Sequence, residues 1–380
     1  MLAIGLMSGT SLDGVDAVLV DIMEESGRLK IRYLDAYSSP YDEKTREMVR
    51  ALLPHVQGNV EQLAYTHYYL GEKYGEVALS LIKKTGLKPK DVGLIACSGQ
   101  TVCNLSKGTS AFKRTRLQIG EISVIAEMTR ISTVGDFRPR EVAAGGEGAP
   151  LVTFFDYHVF QDPRINRVVL NIGGIANVTY VPAGAELSDV LAFDVGPGNM
   201  LIDGAVKYLT CGQSSYDEDG EIAAKGRIEG DLLKELMEHP FIRSPPPKSA
   251  GREEFGEHFL QHILQQAKNR NISRQDLVCT LTAFTAEAIA ENCKRYLGKI
   301  DEMVVGGGGA YNKTLMAMVG QLLQGTRISR TEDYGIPIKA KEAMAFALLG
   351  YCALRKIPSN VPSATGARRP VILGKIVWGD

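Results

Sequence analysis

The sequence predicts an α/β fold in two domains. Its 380 residues are too many for one small hydrophobic core. Short apolar runs end again and again in glycine-rich turns, which marks them as buried strands. Between these runs lie longer segments with apolar residues at helical spacing.

The first such unit opens the chain. Residues 2–6 are apolar, 7–14 small and polar, and 15–22 apolar again, which reads as strand, turn, strand. The turn Ser8-Gly-Thr-Ser-Leu-Asp-Gly14 offers three hydroxyls, two glycines and Asp13. Hydroxyls and free N–H groups at a hairpin tip suit phosphate oxygens, and Asp13 suits Mg²⁺, directly or through water. Residues 31–37 continue the sheet, and 42–53 and 60–84 read as helices, the second stopping before Gly86. A strand at 92–97 runs into a polar strand-end loop, Ser98-Gly-Gln-Thr101. Residues 122–129 read as a helix and 131–134 as a strand.

The glycine-rich stretch 135–150 carries Asp136, Arg138 and Arg140. The planar fork of an arginine suits a carboxylate. The same residues suit a structural Arg–Asp pair equally well, and such pairs at a surface are worth little.

Residues 168–203 hold two further turns. Gly173-Gly174 follows an apolar run and lets backbone N–H groups approach an anion. Asp194 is expected just past the end of the next strand, where rigid structure holds a carboxylate towards a ligand. Gly196-Pro-Gly198 turns the chain, and residues 199–203 read as the first turn of a helix, a natural anion site. Glycines of this kind also serve simply as tight turns. The strand–turn–strand at 168–180 repeats the logic of the opening hairpin and points to an internal duplication of topology. Tyr216-Asp-Glu-Asp-Gly220 lacks the ligand spacing of a calcium loop and reads as a helix-flanking turn. Ser273-Arg-Gln-Asp276 resembles a capping box ahead of a helix at 277–297. A strand at 303–305 enters Gly306-Gly-Gly-Gly-Ala-Tyr-Asn312, and a helix at 313–323 follows, again a place where backbone approaches a ligand. Residues 339–354 form a late apolar helix. Glu342 lies in its first turn, where an acid suits the helix dipole as well as a ligand.

Composition narrows the function classes. A 44% hydrophobic and 23% charged chain is ordinary for a globular protein. A net charge of -1 argues against wrapping duplex nucleic acid. The longest uncharged apolar run, 343–354, is too short to span a bilayer, and the N-terminus lacks the pattern of a signal peptide. Six scattered cysteines without a C-x-x-C pair suit a reducing cytosol. There is no Walker A loop, no G-x-G-x-x-G and no G-x-S-x-G. Of His55, His67, His158, His239, His258 and His262, only the last two have helical metal spacing, and the expected glutamate is missing. A carboxylate is therefore the better general-base candidate. Pro245-Pro-Pro247 is the clearest surface loop or hinge.

Several longer motifs go beyond this. Gly5-Leu-Met-Ser-Gly-Thr-Ser-Leu-Asp-Gly14, Val134-Gly-Asp-Phe-Arg138, Ala143-Ala-Gly-Gly146, Gly148-Ala-Pro150, Asn171-Ile-Gly-Gly174, Phe193-Asp194 with Gly196-Pro-Gly-Asn199, and Asp333-Tyr-Gly-Ile-Pro337 span nearly the whole chain. Together they resemble the anhydro-N-acetylmuramic acid kinases of the actin/hexokinase/Hsp70 superfamily.

The resemblance implies a two-domain actin/hexokinase-like (ribonuclease H-like) fold with an ATP cleft between the domains. Residues 1–138 with 355–380 would form the first domain and 139–354 the second. It implies a cytoplasmic homodimer that acts on a small sugar with ATP and Mg²⁺, with neither nucleic acid nor membrane as partner. The reaction would open the 1,6-anhydro bridge and phosphorylate O6, a step in cell-wall recycling. By motif, Asp194 would be the catalytic base. Gly9, Thr10, Ser11, Leu12, Asp13, Gly14, Val15 and Asp16 would hold nucleotide phosphates, with Asp13 on the metal. Gly173, Gly174 and Asn177 would form the second phosphate turn, and Gly306, Gly307, Gly308, Gly309 and Asn312 would lie by the nucleotide. Gln100, Thr101, Arg138, Asn199 and Glu342 would contact substrate. The alternatives are a kinase for another anhydro-sugar such as levoglucosan, which an Arg placed for a lactyl carboxylate would disfavour, and a non-catalytic ATP-binding module.

Overall fold

The computed structural model describes residues 1–25, 28–53, 58–105, 108 and 112–380, with Arg252 described by its backbone alone. His55 lies outside the described residues. The chain divides into two compact units, Met1–Val159 with Gly335–Asp380, and Phe160–Tyr334.

In the first unit the opening hairpin consists of β1 (Leu2–Met7) and β2 (Gly14–Glu25), and β3 (Arg28–Pro40) continues it antiparallel. β4 (Leu94–Cys97) pairs parallel with β1. A separate hairpin, β5 (Gln100–Leu105) with β6 (Thr115–Ile119), follows, and β7 (Thr133–Gly135) lies parallel to β4. A last strand, Lys375–Val377, pairs antiparallel with β7. In the second unit β8 (Arg167–Ile172), β9 (Ile175–Val181) and β10 (Leu191–Pro197) form an antiparallel meander. β11 (Glu302–Gly306) pairs parallel with β8, and β12 (Arg327–Arg330) parallel with β11. Each unit thus orders five strands 3-2-1-4-5, three antiparallel and two parallel. The duplication expected from the two hairpins is present in topology, and the strand order is ribonuclease H-like.

Alternation along β1 explains its packing. Ile4 and Leu6 join a core with Leu70, Tyr74, Val77 and Leu81 of the helix Val60–Lys84. The opposite face meets the helix Lys341–Leu354, from Ala343 to Ala353 buried throughout. Gly5 permits that contact, because a Cβ there would lie 1.8 Å from the Ala343 carbonyl oxygen. Gly5→Ala is expected to cost about 1–3 kcal/mol, near the upper end because backbone must yield. A lowered melting temperature with an otherwise native spectrum checks it. In the second unit the long helix Arg274–Tyr296, capped by Ser273, supplies Leu277, Leu281 and Phe284 to a core with Leu201, Ile202 and Val206. No helix among the described residues is long and apolar enough to cross a membrane.

The unit boundaries differ from those expected. Residues 139–159 and 335–354 belong with the first unit, because the helix Lys341–Leu354 covers β1 and β4. Asp156 of the helix Val152–Phe160 then pairs with Lys341 at 2.8 Å, both side chains being about 5% exposed. Glu342 therefore belongs to the first unit. Two further expectations need correction. Gln100 and Thr101 begin a strand rather than sit in a loop. Asp194 lies inside β10 rather than past its end, because a bulge between Asp194 and Gly196 lets the strand continue.

Candidate active site

The β1–β2 turn is held from behind by buried side chains. Ser8 shares a hydrogen bond with the Tyr74 hydroxyl at 2.8 Å and donates one to Gln100 Oε1 at 3.1 Å. The Gln100 amide nitrogen donates to the Gly9 carbonyl at 3.1 Å, and Tyr41 and Tyr74 meet at 3.3 Å. Gln100 is fully buried, so its amide braces the turn. Burial raises the Tyr41 and Tyr74 pKa values, which keeps both hydroxyls neutral. In front, Thr10, Ser11 and Asp13 are exposed, Gly9, Gly14 and Asp16 are half-buried, and Leu12 and Val15 are buried. Asp16 accepts from Ser38 Oγ at 2.6 Å. The exposed tip presents two hydroxyls and one carboxylate, hard oxygen ligands of the kind Mg²⁺ takes.

Elsewhere in this unit Arg138 opens the short helix Arg138–Ala143 and donates to the Gly148 carbonyl at 2.5 Å. Burial, then Arg116, pushes its guanidinium down to about 10, against Glu342 and Glu141. The Glu342 side chain has an exposed surface yet is crowded by protein. Desolvation raises its carboxyl pKa; Lys341 and Arg138 oppose this, while Asp16 and Asp156 add to it. Thr101 accepts from Gln118 Nε2 at 3.2 Å.

In the second unit the register aligns the expected residues. Gly306 pairs with Asn171, Asn171 with Asn177, and Asn177 with Asp194. Directly opposed residues project to the same face, so Asn171, Asn177 and Asp194 form one polar row across β8, β9 and β10. Asp194 is fixed twice by one segment: its N–H donates to the Lys248 carbonyl at 3.1 Å, and its Oδ2 accepts from the Ala250 N–H at 2.8 Å.

The β8–β9 turn lies just beyond Asn171 and the Ile172–Ala176 pair, at the strand ends. The Gly173 carbonyl accepts from Asn199 N–H at 2.8 Å, and that of Gly174 from Gly198 at 2.9 Å and Met200 at 3.1 Å. These bonds dock the N-terminus of the helix Met200–Leu209 against the turn. Gly198 is required there, since a Cβ would sit 2.3 Å from the Gly173 oxygen. Asn199 stands at the N-cap position without a side-chain capping bond, and its amide donates instead to the Ile172 carbonyl at 3.3 Å. Gly306 ends β11 beside it, and Gly307, Gly308 and Gly309 follow with Gly308 exposed. Asn312 is buried, and its Oδ1 accepts from Leu315 N–H at 2.9 Å as the cap of the helix Lys313–Leu322.

The second unit thus gathers Asp194, Asn177, Gly173, Gly174, Asn199 and the start of the glycine loop. The N–H groups of Gly198, Asn199 and Met200 are taken up by the turn carbonyls and that of Gly173 by Ile175, so the helix start is not the open anion site its sequence suggests, and Gly174 is the exposed glycine of the turn. The oriented Asp194 carboxylate on the same sheet suits proton abstraction. Sequence reasoning gave no role to Asn171, although it interrupts an apolar run, or to Lys248, which follows the proline run.

A family model described as anhydro-N-acetylmuramic acid kinase matches residues 1–379. A protein of that name from Caldanaerobacter subterraneus subsp. tengcongensis is 43% identical over 99% of this chain and 96% of its own length. Namesakes from Clostridioides difficile and Francisella tularensis subsp. novicida are each 38% identical, over 99% and 98% of this chain and 98% and 97% of their own. Among solved structures, component A of an Acidaminococcus fermentans (R)-2-hydroxyglutaryl-CoA dehydratase covers 94% of this chain and 100% of its own, at 12% identity and a TM-score of 0.47. That likeness is too weak to add to the strand order described above. The match of the family model to almost every residue, with relatives aligned end to end, establishes that the chain belongs to the anhydro-N-acetylmuramic acid kinase family.

Proposed function

We propose that this protein uses ATP to open the anhydro bridge of 1,6-anhydro-N-acetylmuramic acid and to phosphorylate O6, giving N-acetylmuramic acid 6-phosphate and ADP. The observation that carries the reading is the polar row Asn171, Asn177 and Asp194 on the sheet whose β8–β9 turn is Gly173-Gly174. Asp194 takes a proton from a water whose oxygen attacks C1. The C1–O6 bond breaks as O6 forms its bond to the γ-phosphorus, and the bond from that phosphorus to the β-phosphate oxygen breaks, releasing ADP. O6 leaves carbon and accepts phosphorus in one coupled event, so it needs no separate protein acid.

Positioning and charge neutralisation carry most of a phosphoryl transfer. Residues Gly9–Asp16 and the Gly173-Gly174 turn hold phosphates here, and Gly306–Gly309 lies near the nucleotide. Asp13 would hold Mg²⁺ with its carboxylate, directly or through water. When bound, the ion would neutralise phosphate charge. Thr101, Asn199 and Glu342 are the proposed sugar contacts, and Arg138 is the candidate for the lactyl carboxylate. Gln100 acts by bracing the phosphate hairpin, and Asn312 by capping the helix beside the glycine loop. The working form is taken to be a cytoplasmic homodimer.

ADP release with Mg²⁺-ATP, with and without the anhydro-muramic sugar, tests the function. Stimulation by that sugar and not by levoglucosan is expected. Stimulation by levoglucosan alone would change the substrate, and no sugar dependence would leave an ATP-binding module. Gln100→Leu should raise KM for Mg²⁺-ATP about tenfold, because two hydrogen bonds at the hairpin are together worth on the order of 1–2 kcal/mol net. An initial-rate titration of nucleotide at saturating sugar checks this.

A further inference from the structure

The segment after the proline run 245–247 binds Asp194 through its backbone on both sides. The Lys248 carbonyl accepts the Asp194 N–H at 3.1 Å, and the Ala250 N–H donates to Asp194 Oδ2 at 2.8 Å. Such a strap orients a carboxylate only if the strap is itself held. Its anchor is the half-buried side chain of Lys248. The ammonium donates to the carbonyls of Phe241 at 2.9 Å and Ile242 at 3.2 Å. It also lies over the Phe241 ring at 4.8 Å and the Tyr296 ring at 5.5 Å. Tyr296 closes the arrangement by donating from its hydroxyl to the Arg243 carbonyl at 2.8 Å. Carbonyl dipoles and ring faces are what a desolvated ammonium needs, so the lysine is fixed rather than free to wander in solvent.

We propose that Lys248 is a positioning residue for Asp194, its ammonium pinning the 248–250 strap that fixes the carboxylate's direction. The inference rests on the reading of Asp194 as the base. The charge balance supports it. Desolvation and then Arg295 lower the Lys248 pKa to about 8 while Asp194 opposes them, so the ammonium and the carboxylate sense each other. Arg295 comes from the long helix Arg274–Tyr296 and Asp194 from β10. The strap also gives the proline run a purpose, because prolines restrict the approach to Lys248 and lower the entropy lost when the strap seats.

The test compares Lys248→Met, Lys248→Gln, Lys248→Arg and Asp194→Asn in the full chain. Lys248→Met keeps the apolar stem and removes the ammonium. Its kcat should fall roughly 10- to 100-fold, the usual cost of a reacting group misplaced by a fraction of an ångström to an ångström. Binding of Mg²⁺-ATP should not change. The acid limb of its kcat–pH profile should move to higher pH, because losing a nearby positive charge disfavours the ionised carboxylate. Lys248→Arg should recover most of the rate. Wild-type kcat in Lys248→Met alongside an inactive Asp194→Asn would overturn the positioning role while leaving the base assignment intact. So would equal losses of kcat, nucleotide binding and melting temperature in both Lys248→Met and Lys248→Gln, since those describe a structural lysine. Full turnover in Asp194→Asn would instead remove the base, and this inference with it.

Discussion

Asp194→Asn is expected to fold, to bind Mg²⁺-ATP as tightly as the wild type, and to lose about 10²- to 10⁴-fold in kcat, the usual worth of a placed general base. The substitution is a mild one structurally. An asparagine keeps an oxygen that can accept the Ala250 N–H, now made at 2.8 Å, and its backbone N–H still reaches the Lys248 carbonyl. Strand pairing with Asn177 across β9 is a backbone matter and survives. What the amide lacks is the ability to take a proton from water at neutral pH. The loss should therefore appear in kcat while KM for nucleotide hardly moves. Single-turnover rates at saturating nucleotide and sugar check the size, and nucleotide binding by calorimetry checks the fold.

Asp156→Ala is expected to destabilise the first unit by about 3–5 kcal/mol, because it leaves the Lys341 ammonium buried without its partner. The two side chains meet at 2.8 Å and are each about 5% exposed. Isolating either charge is costly, whereas replacing both by apolar groups of similar volume is often nearly neutral. The double variant Asp156→Leu/Lys341→Met should thus recover most of the stability lost by Asp156→Ala. Melting temperatures of the single and double variants, read against Gly5→Ala as a packing control, decide it. Equal losses in single and double variants would mean that the site depends on shape rather than on charge pairing. Lys341 also lowers the Glu342 pKa, so its removal should push that already raised carboxyl higher still.

Much of the fold was legible because local chemistry agreed with tertiary structure. The helix Val60–Lys84 begins and ends where its periodicity does, since Asn59 and Gln62 form a capping box at its start. Both glycine turns and their flanking strands were legible for the same reason: few sequences other than a turn suit Ser8–Gly14 or Gly173-Gly174. The unit boundary was not. An all-apolar helix such as Lys341–Leu354 shows that it is buried, and nothing local says against which sheet. Gly5 held the only clue, a strand residue with no side chain to obstruct a helix. Asp194 was misplaced because of one feature, the bulge at Val195 between Asp194 and Gly196, which continues a strand that the glycines suggested had ended. Gln100 and Asn312 read as polar groups available for ligands, but their hydrogen bonds run inward, to Gly9 and Leu315. The destination of a polar side chain is a three-dimensional fact, and for the same reason Lys248 escaped notice.

The most direct test of the account is to run the reaction with Mg²⁺-ATP and 1,6-anhydro-N-acetylmuramic acid in ¹⁸O-labelled water and to locate both the label and the phosphate in the product. One ¹⁸O at C1, phosphate on an unlabelled O6, and one ADP for each sugar opened are expected. Phosphorylation of open N-acetylmuramic acid alone, with no attack of water at C1, would contradict it and take from Asp194 its task as base.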